Sequence, residues 1–234
     1  VAAALANPDR RLRRLLLTEE AEAALTARLP PPWRLRPERV DRARFATFLP
    51  EDSVHQGAAL LTEPLEPRLL EEAIEARPGP VLVLDQVTDP RNVGAILRSA
   101  AAFGAACVVM QDRNAPPETG ALARAASGAL EVVPVVRAVN LARSLQALQR
   151  EGFWVMGLAG EAKRTLAEAK PDGGRRVALV LGAEDAGLRR LQRETCDELV
   201  RLPIHPEMES LNVSAATAVA LYELVREETG EETT

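Results

Sequence analysis

The stretch VLVLDQVTDPRNVGAILRSAAAFGAACVVM (81–110) decides the fold. Its opening, VLVLD, is a continuous apolar run, the pattern of a strand covered on both faces. NVGAILRSAAAFG (92–104) reads as a helix ending at a glycine stop. ACVVM (106–110) is the next strand.

The same alternation continues toward the carboxyl end. TGALARAASGAL is helical, PVVR strand-like, and NLARSLQALQREG (140–152) a helix with Asn140 as its cap. FWVMGLAG (153–160), VALVLG (177–182) and ELVRLPI (198–204) are three more strands. NVSAATAVALYELVREE (212–228) is a long last helix with apolar residues at helical spacing. Strands alternating with helices predict a mostly parallel sheet covered on both sides, an α/β fold.

Toward the amino end the pattern breaks. TEPLEPRLLEEAIEARPGP holds Pro64, Pro67, Pro78 and Pro80, which mark a linker carrying a short helix at 68–76. The domain boundary falls near residue 65. Before it, LRRLLL (12–17) reads as a strand, EEAEAALTARL (19–29) as a helix, DRARFATFL as a short helix capped by Asp41, and GAALLT (57–62) as a strand. This gives a domain at 1–65, a linker at 66–79 and a larger domain at 80–230.

Composition narrows the function. The 234 residues are 47% hydrophobic, enough for a sizeable core, but only 3% aromatic, so Ala, Leu and Val must fill it. No apolar run reaches the roughly 18 residues of a membrane span. Cys107 and Cys196 lack CxxC spacing and read as reduced, buried thiols, which suits the cytoplasm. No His/Cys cluster has metal-ligand spacing, so no metal is expected. The net charge of −5 argues against a general nucleic-acid binder, yet it is unevenly spread. Residues 1–50 carry +4 and the remainder −9. Arg10, Arg11, Arg13 and Arg14 form one basic knot; Arg34, Arg36, Arg39, Arg42 and Arg44 form another. A phosphate backbone is attracted to such a surface, and a solvated Arg-rich face explains the pattern equally well.

In open parallel sheets, ligands bind outside the carboxyl ends of the strands. The segments there are QVTDPRNVGAILRS, AGEAKR, GAEDAGL and PIHPEMESLNVS, all polar or glycine-rich. Singly, each has an ordinary reading. Gly182, Glu184 and Gly187 suit a plain strand-to-helix turn. Asn92 suits a helix cap and Arg98 a helix surface, while Ser210 and Asn212 suit caps of the last helix. No GxGxxG follows a strand and no GxxxxGK[ST] exists, which disfavours dinucleotide and P-loop sites. His55 and His205 lie far apart and no nucleophile elbow is present, which disfavours a Ser-His-Asp hydrolase.

Jointly the segments resemble the SpoU branch of the knotted SPOUT methyltransferases. DPRNVGAILRSAAAFG (89–104) is similar to its first motif, through Asn92, Gly94 and Arg98. VALVLGAEDAGL (177–188) is similar to the second, through Gly182, Glu184 and Gly187, and RLPIHPEMESLNVSAATAVALYE (201–223) to the third, through Pro203, Ser210, Leu211 and Asn212. VDRARF (40–45) and VHQGAAL (54–60) resemble the ribosomal-protein-like RNA-binding domain of the subgroup that methylates a guanosine ribose in 23S ribosomal RNA. One departure is Pro206, where the family usually has glycine; another is Ile204 in place of a common methionine.

The resemblance implies a trefoil-knotted α/β domain, preceded by a small α/β RNA-binding domain. It implies a homodimer that transfers a methyl group from S-adenosyl-L-methionine to a ribose 2′-hydroxyl in RNA. Gly182, Leu202 and Leu211, with Gly160 and Ile204 close by, are then expected at the cofactor. Asn92, Arg98, Glu184, Ser210 and Asn212 are expected at the chemistry. A guanidinium stays charged in proteins, so Arg98 is assigned as an electrostatic clamp on the developing alkoxide or the adjoining phosphate. Glu184 is assigned to hold Arg98 or accept the proton, and Asn212 to brace the third-motif loop. Arg10, Arg11, Arg13, Arg14, Arg34 and Arg36 are expected to recruit RNA. Transfer RNA competes as the substrate, and a non-catalytic ribosome assembly factor of the same fold is the competing class.

Overall fold

Alternate residues of the central strands enter two different cores. Leu82 and Leu84 pack on one side with Val108, Met110, Leu179 and Leu181, whereas Val81 and Val83 pack on the other with Cys107, Val109, Ala178 and Val180. A strand with apolar residues at every position is the only kind that satisfies both.

The computed structural model describes residues 1–50, 53–171, 174–184 and 186–226. The chain divides into two units, Val1–Glu66 and Pro67–Thr234. The first contains α1 (Ala2–Ala6), β1 (Leu12–Leu17), α2 (Glu19–Arg28), β2 (Pro37–Arg39), a 3₁₀ turn over Arg42–Thr47 and β3 (Ala58–Thr62). The second contains α3 (Leu70–Ala76), β4 (Val81–Leu84), α4 (Pro90–Ala102), β5 (Cys107–Gln111), α5 (Gly120–Ala126), β6 (Val135–Ala138), α6 (Leu141–Arg150), β7 (Trp154–Leu158) and β8 (Arg164–Thr165). It continues with α7 (Leu166–Ala169), β9 (Val177–Leu181), α8 (Arg190–Thr195), β10 (Glu198–Arg201) and α9 (Val213–Val225).

In the first unit, β1 lies between β2, parallel to it, and β3, antiparallel to it. Leu5, Leu15, Leu17 and Leu25 make its core. Thr18 caps α2, its hydroxyl accepting from the amide of Ala21 at 3.2 Å. The PER sequence of β2 has no apolar pattern and gives no strand signal. Asp41 stands at the cap position of the 3₁₀ turn, but its side chain makes no capping bond.

In the second unit the described strands form a seven-stranded sheet in the order β6-β5-β4-β9-β7-β10-β8, and every pairing is parallel. The parallel α/β expectation therefore holds. Helix α4 begins earlier than Asn92: Asp89 is its cap, accepting from the amide of Arg91 at 2.8 Å, with Pro90 in the first turn. Helix α5 stops at Ala126, because Ser127 and Gly128 are both left-handed (φ 50° and 95°). Asn140 caps α6 through the amide of Arg143. Helix α9 is described to Val225, and residues 227–228 of the expected span lie outside the described residues. Among the described residues no helix is long and apolar enough to cross a membrane.

One motif glycine has a packing role. A Cβ built on Gly94 would stand 2.6 Å from both the Ala125 methyl and the Leu122 carbonyl oxygen. Gly94 thus lets α4 and α5 touch backbone to backbone.

Candidate functional site

The carboxyl ends of β4 and β9 lie side by side, continued by a hydrogen bond from the Asp85 amide to the Leu181 carbonyl oxygen at 2.8 Å. The first motif leaves the sheet from β4 and the second from β9. Asn92 sits in the first turn of α4, Glu184 in the loop after β9, and Asn212 at the start of α9.

These three side chains form one network. Glu184 Oε1 accepts from Asn92 Nδ2 at 3.2 Å, Asn212 Nδ2 at 2.5 Å and the Val213 amide at 3.2 Å. Asn212 Nδ2 also donates to Asn92 Oδ1 at 3.1 Å. Asn212 Oδ1 meanwhile caps α9, accepting from the amides of Ser214 and Ala215 and the hydroxyl of Ser214. Asn212 is thus a helix cap and a motif residue together. Asn92 is no cap, because Asp89 already fills that place.

Arg98 and Ser210 stand outside the network. Arg98 is exposed on α4 and makes no hydrogen bond or ion pair among the described residues. It is six residues after Asn92, which puts the two about 120° apart round the helix and about 9 Å apart along it. The expected pairing of Glu184 with Arg98 is absent: Glu184 instead holds the two asparagines and the start of α9.

Beside the network lies a cavity of about 510 Å³ at the carboxyl ends of β7, β9 and β10. Its wall includes all five expected cofactor residues: Gly160, Gly182, Leu202, Ile204 and Leu211. Ser210 and Glu184 also line it. Gly182 is required by the loop itself, since a Cβ there would meet the backbone of Gly187 at 2.2 Å. Pro206 fits its place: the Met208 amide donates to the His205 carbonyl oxygen at 2.9 Å, so Pro206 is the second residue of a turn. That position favours proline's fixed φ and needs no amide donor.

Two polar pairs at this end of the sheet escaped the sequence reading. Asp85 is fully buried at the end of β4. It accepts from the Arg189 amide at 2.9 Å and from Arg189 Nε at 2.7 Å, and thereby ties down the end of the second-motif loop. The signal was present, since an acid closing an all-apolar strand must find a partner. Glu161, after β7, pairs with Arg193 of α8, and both line the cavity. Nothing in sequence joins residues 161 and 193.

Of the six arginines expected at RNA, Arg10 is a correction. It is 3% exposed and donates to the Glu63 carbonyl oxygen at 2.9 Å, so it holds the first unit together from inside. Arg11 and Arg13 pair with Glu63, Arg14 with Glu38, and Arg34 with the Asn7 carbonyl oxygen. All four pairs lie at the surface, where water and salt screen such contacts and leave the arginines available to a phosphate. Arg36 and Arg42 are exposed with no side-chain partner among the described residues, and Arg44, also exposed, adds its charge to the field that holds Glu38 below the usual carboxylate range. The described residues hold no His/Cys/Asp/Glu group suited to a metal ion.

The family model of the SpoU rRNA Methylase family matches residues 79–222. The 23S rRNA (guanosine-2'-O-)-methyltransferase RlmB of Escherichia coli K12 is 46% identical over 182 residues, 76% of this chain and 74% of that protein. Its namesake from Vibrio vulnificus is 43% identical over 177 residues, 74% of this chain and 71% of that one. Among solved structures, the SpoU methyltransferase AviRb of Streptomyces viridochromogenes, in complex with AdoMet, superposes with a TM-score of 0.77. It is 23% identical, and the match covers 98% of this chain and 87% of that one.

Proposed function

The chain belongs to the SpoU rRNA methylase family, and on that premise we propose that it methylates the ribose 2′-hydroxyl of a guanosine in 23S ribosomal RNA. The methyl donor is S-adenosyl-L-methionine. The observation that carries this reading is the meeting of Asn92, Glu184 and Asn212 beside a cavity walled by Gly182, Leu202 and Leu211.

The cavity fits the donor. Its volume of about 510 Å³ lies within the roughly 300–1,000 Å³ of small-molecule sites. Leu202, Ile204 and Leu211 offer apolar surface for the faces of an adenine, and Ile204 and Leu211 are both more than a third exposed. When bound, the cofactor supplies a sulfonium methyl already activated for transfer. Binding, orientation and charge control then fall to the protein.

A ribose hydroxyl is a weak nucleophile until its proton is drawn off or its oxyanion stabilised. Ser210, on the cavity wall, orients the hydroxyl. Arg98 projects a free guanidinium from α4 and clamps the developing alkoxide or the neighbouring phosphate. Asn92, Glu184 and Asn212 fix the loops of all three motifs relative to one another. Only Oε1 of Glu184 is engaged among the described residues; its second oxygen is left to accept the proton.

The finer parts of the proposal follow the resemblance. A trefoil knot in the carboxyl-terminal segment is supported by the order β4-β9-β7-β10, which interleaves strands distant in sequence. A homodimer is supported by Val219 and Tyr222, apolar residues three apart on α9 that are about half exposed. Residues 1–65 recruit RNA through phosphate contacts and shape, with Arg36, Arg42 and Arg44 added to Arg11, Arg13, Arg14 and Arg34. The workplace is the cytoplasm, where ribosomal RNA is made and assembled.

The test is ribose-methylation mapping of total RNA from cells with and without this gene. One guanosine of 23S ribosomal RNA loses its 2′-O-methyl mark in the deletion and regains it on complementation. An unchanged map refutes the proposal, and a mark lost from transfer RNA moves the substrate.

A further inference from the structure

One polar pair on the rim of the cavity takes no part in the network or the apolar wall. Glu161 follows Gly160 just beyond the carboxyl end of β7, and Arg193 reaches it from α8. The Glu161 carboxyl is held below the usual carboxylate range, first by its own backbone amide and then by Arg193. Its side chain nevertheless remains 63% exposed, and it faces the cavity. An ion pair this open contributes about 0–1 kcal/mol to stability, so folding gives little reason to keep one at this mouth.

The other carboxylates on the wall are less suited to a ligand. Glu184 already collects three donors on one oxygen. Glu209 is exposed on the loop between β10 and α9 and makes no hydrogen bond among the described residues. Glu161 alone is both fixed in place by donors on the protein side and open toward the cavity. The side chains of Leu202, Ile204 and Leu211 have no acceptor to offer the hydroxyls of a nucleoside.

Resting on the methyl-donor reading above, we propose that the Glu161 carboxylate receives the ribose diol of the cofactor's nucleoside, with Arg193 as the residue that positions it. A vicinal diol presents two O–H donors, and an ionised carboxylate presents acceptors only. An acid just past the end of a strand in a parallel sheet is the arrangement by which dinucleotide folds hold a ribose. Here it stands without the glycine-rich phosphate cradle, as suits a nucleoside that carries no phosphate.

Calorimetry on the full chain tests this without turnover. The ligands are S-adenosylhomocysteine, 5′-methylthioadenosine, which keeps the diol but lacks the amino acid, and the 2′,3′-dideoxy form of the latter. Glu161→Ala weakens the first two by the same factor, roughly ten- to a hundredfold for a hydrogen bond to a charged acceptor. Removing the diol weakens binding to wild type by a similar factor and to the variant by less than about twofold. Glu161→Gln, nearly isosteric, serves as second variant and falls between. Unchanged affinity in both variants overturns the proposal. So does a loss confined to S-adenosylhomocysteine, which assigns the carboxylate to the ligand's ammonium group, and so does an equal cost of diol removal in wild type and variant. If wild type binds neither S-adenosylmethionine nor S-adenosylhomocysteine, the methyl-donor reading itself fails, a result distinct from all of these.

Discussion

Asp85→Ala separates the folding of this site from its chemistry. Asp85 is wholly buried and accepts two hydrogen bonds from one residue, from the Arg189 amide at 2.9 Å and from Nε at 2.7 Å, with Nη2 paired to the same carboxylate at 2.6 Å. Losing the acceptor leaves the backbone amide unpaired, at about 1–3 kcal/mol if water cannot reach it. The guanidinium bonds add less, about 1 kcal/mol, because the Arg189 side chain is 44% exposed and water replaces the carboxylate. Relief from burying a charge offsets part of this. The net destabilisation is about 2–3 kcal/mol, or roughly 4–12 °C in melting temperature for a unit of this size. Gly187 and Leu188 lead directly into Arg189 and line the cavity, so the freed loop also weakens S-adenosylmethionine binding, by about tenfold. Asp85→Asn keeps one acceptor for the amide and falls between. Urea unfolding followed by circular dichroism gives the stability, and calorimetry the affinity. An Asp85→Ala protein within about 0.5 kcal/mol of wild type, with unaltered affinity, refutes the reasoning.

Arg98→Ala leaves cofactor binding nearly intact and slows methyl transfer by about two orders of magnitude or more; single-turnover kinetics with wild-type rate would remove Arg98 from the mechanism. Asn212→Ala loses the α9 cap, at about 1 kcal/mol, and also breaks the contacts to Asn92 and Glu184. Its turnover falls more than a lost cap explains, so Asn212→Asp, which keeps the cap but repels Glu184, is inactive while near wild-type in melting temperature. Burial pushes the thiols of Cys107 and Cys196 up to about 12. Native protein at pH 8 therefore reacts with a thiol reagent at least a hundredfold more slowly than unfolded protein, whose cysteines titrate near about 8.5. The folded chain binds more protons than the unfolded one above that value, so these thiols' contribution to stability is complete below about pH 8.5 and fades as pH climbs toward 12; a melting temperature that rises over that interval contradicts it.

The class of fold was legible in the sequence, and the resemblance to the SpoU motifs pointed to the wall of the cavity. Apolar runs such as VLVLD and VALVL carry the pattern of strands buried on both faces, and Asn140 marks where α6 begins, whereas the cap of α4 is Asp89 and not Asn92. Gly160, Gly182, Leu202, Ile204 and Leu211 were legible through the resemblance to the SpoU motifs, while the rule that ligands bind beyond the carboxyl ends of parallel strands pointed only to their loops. Tertiary structure alone decided which strands are neighbours. It set β9 beside β4 and β7 beside β9, and so brought Asn92 to Glu184, Asp85 to Arg189 and Glu161 to Arg193 across intervals of 92, 104 and 32 residues. It also drew Arg10 inward from a basic run whose other members stay at the surface. Local sequence carries the periodicity that buries one face of an element. A partner for a single charge is chosen only when sheet order and helix packing fix the distance between residues the chain itself keeps far apart.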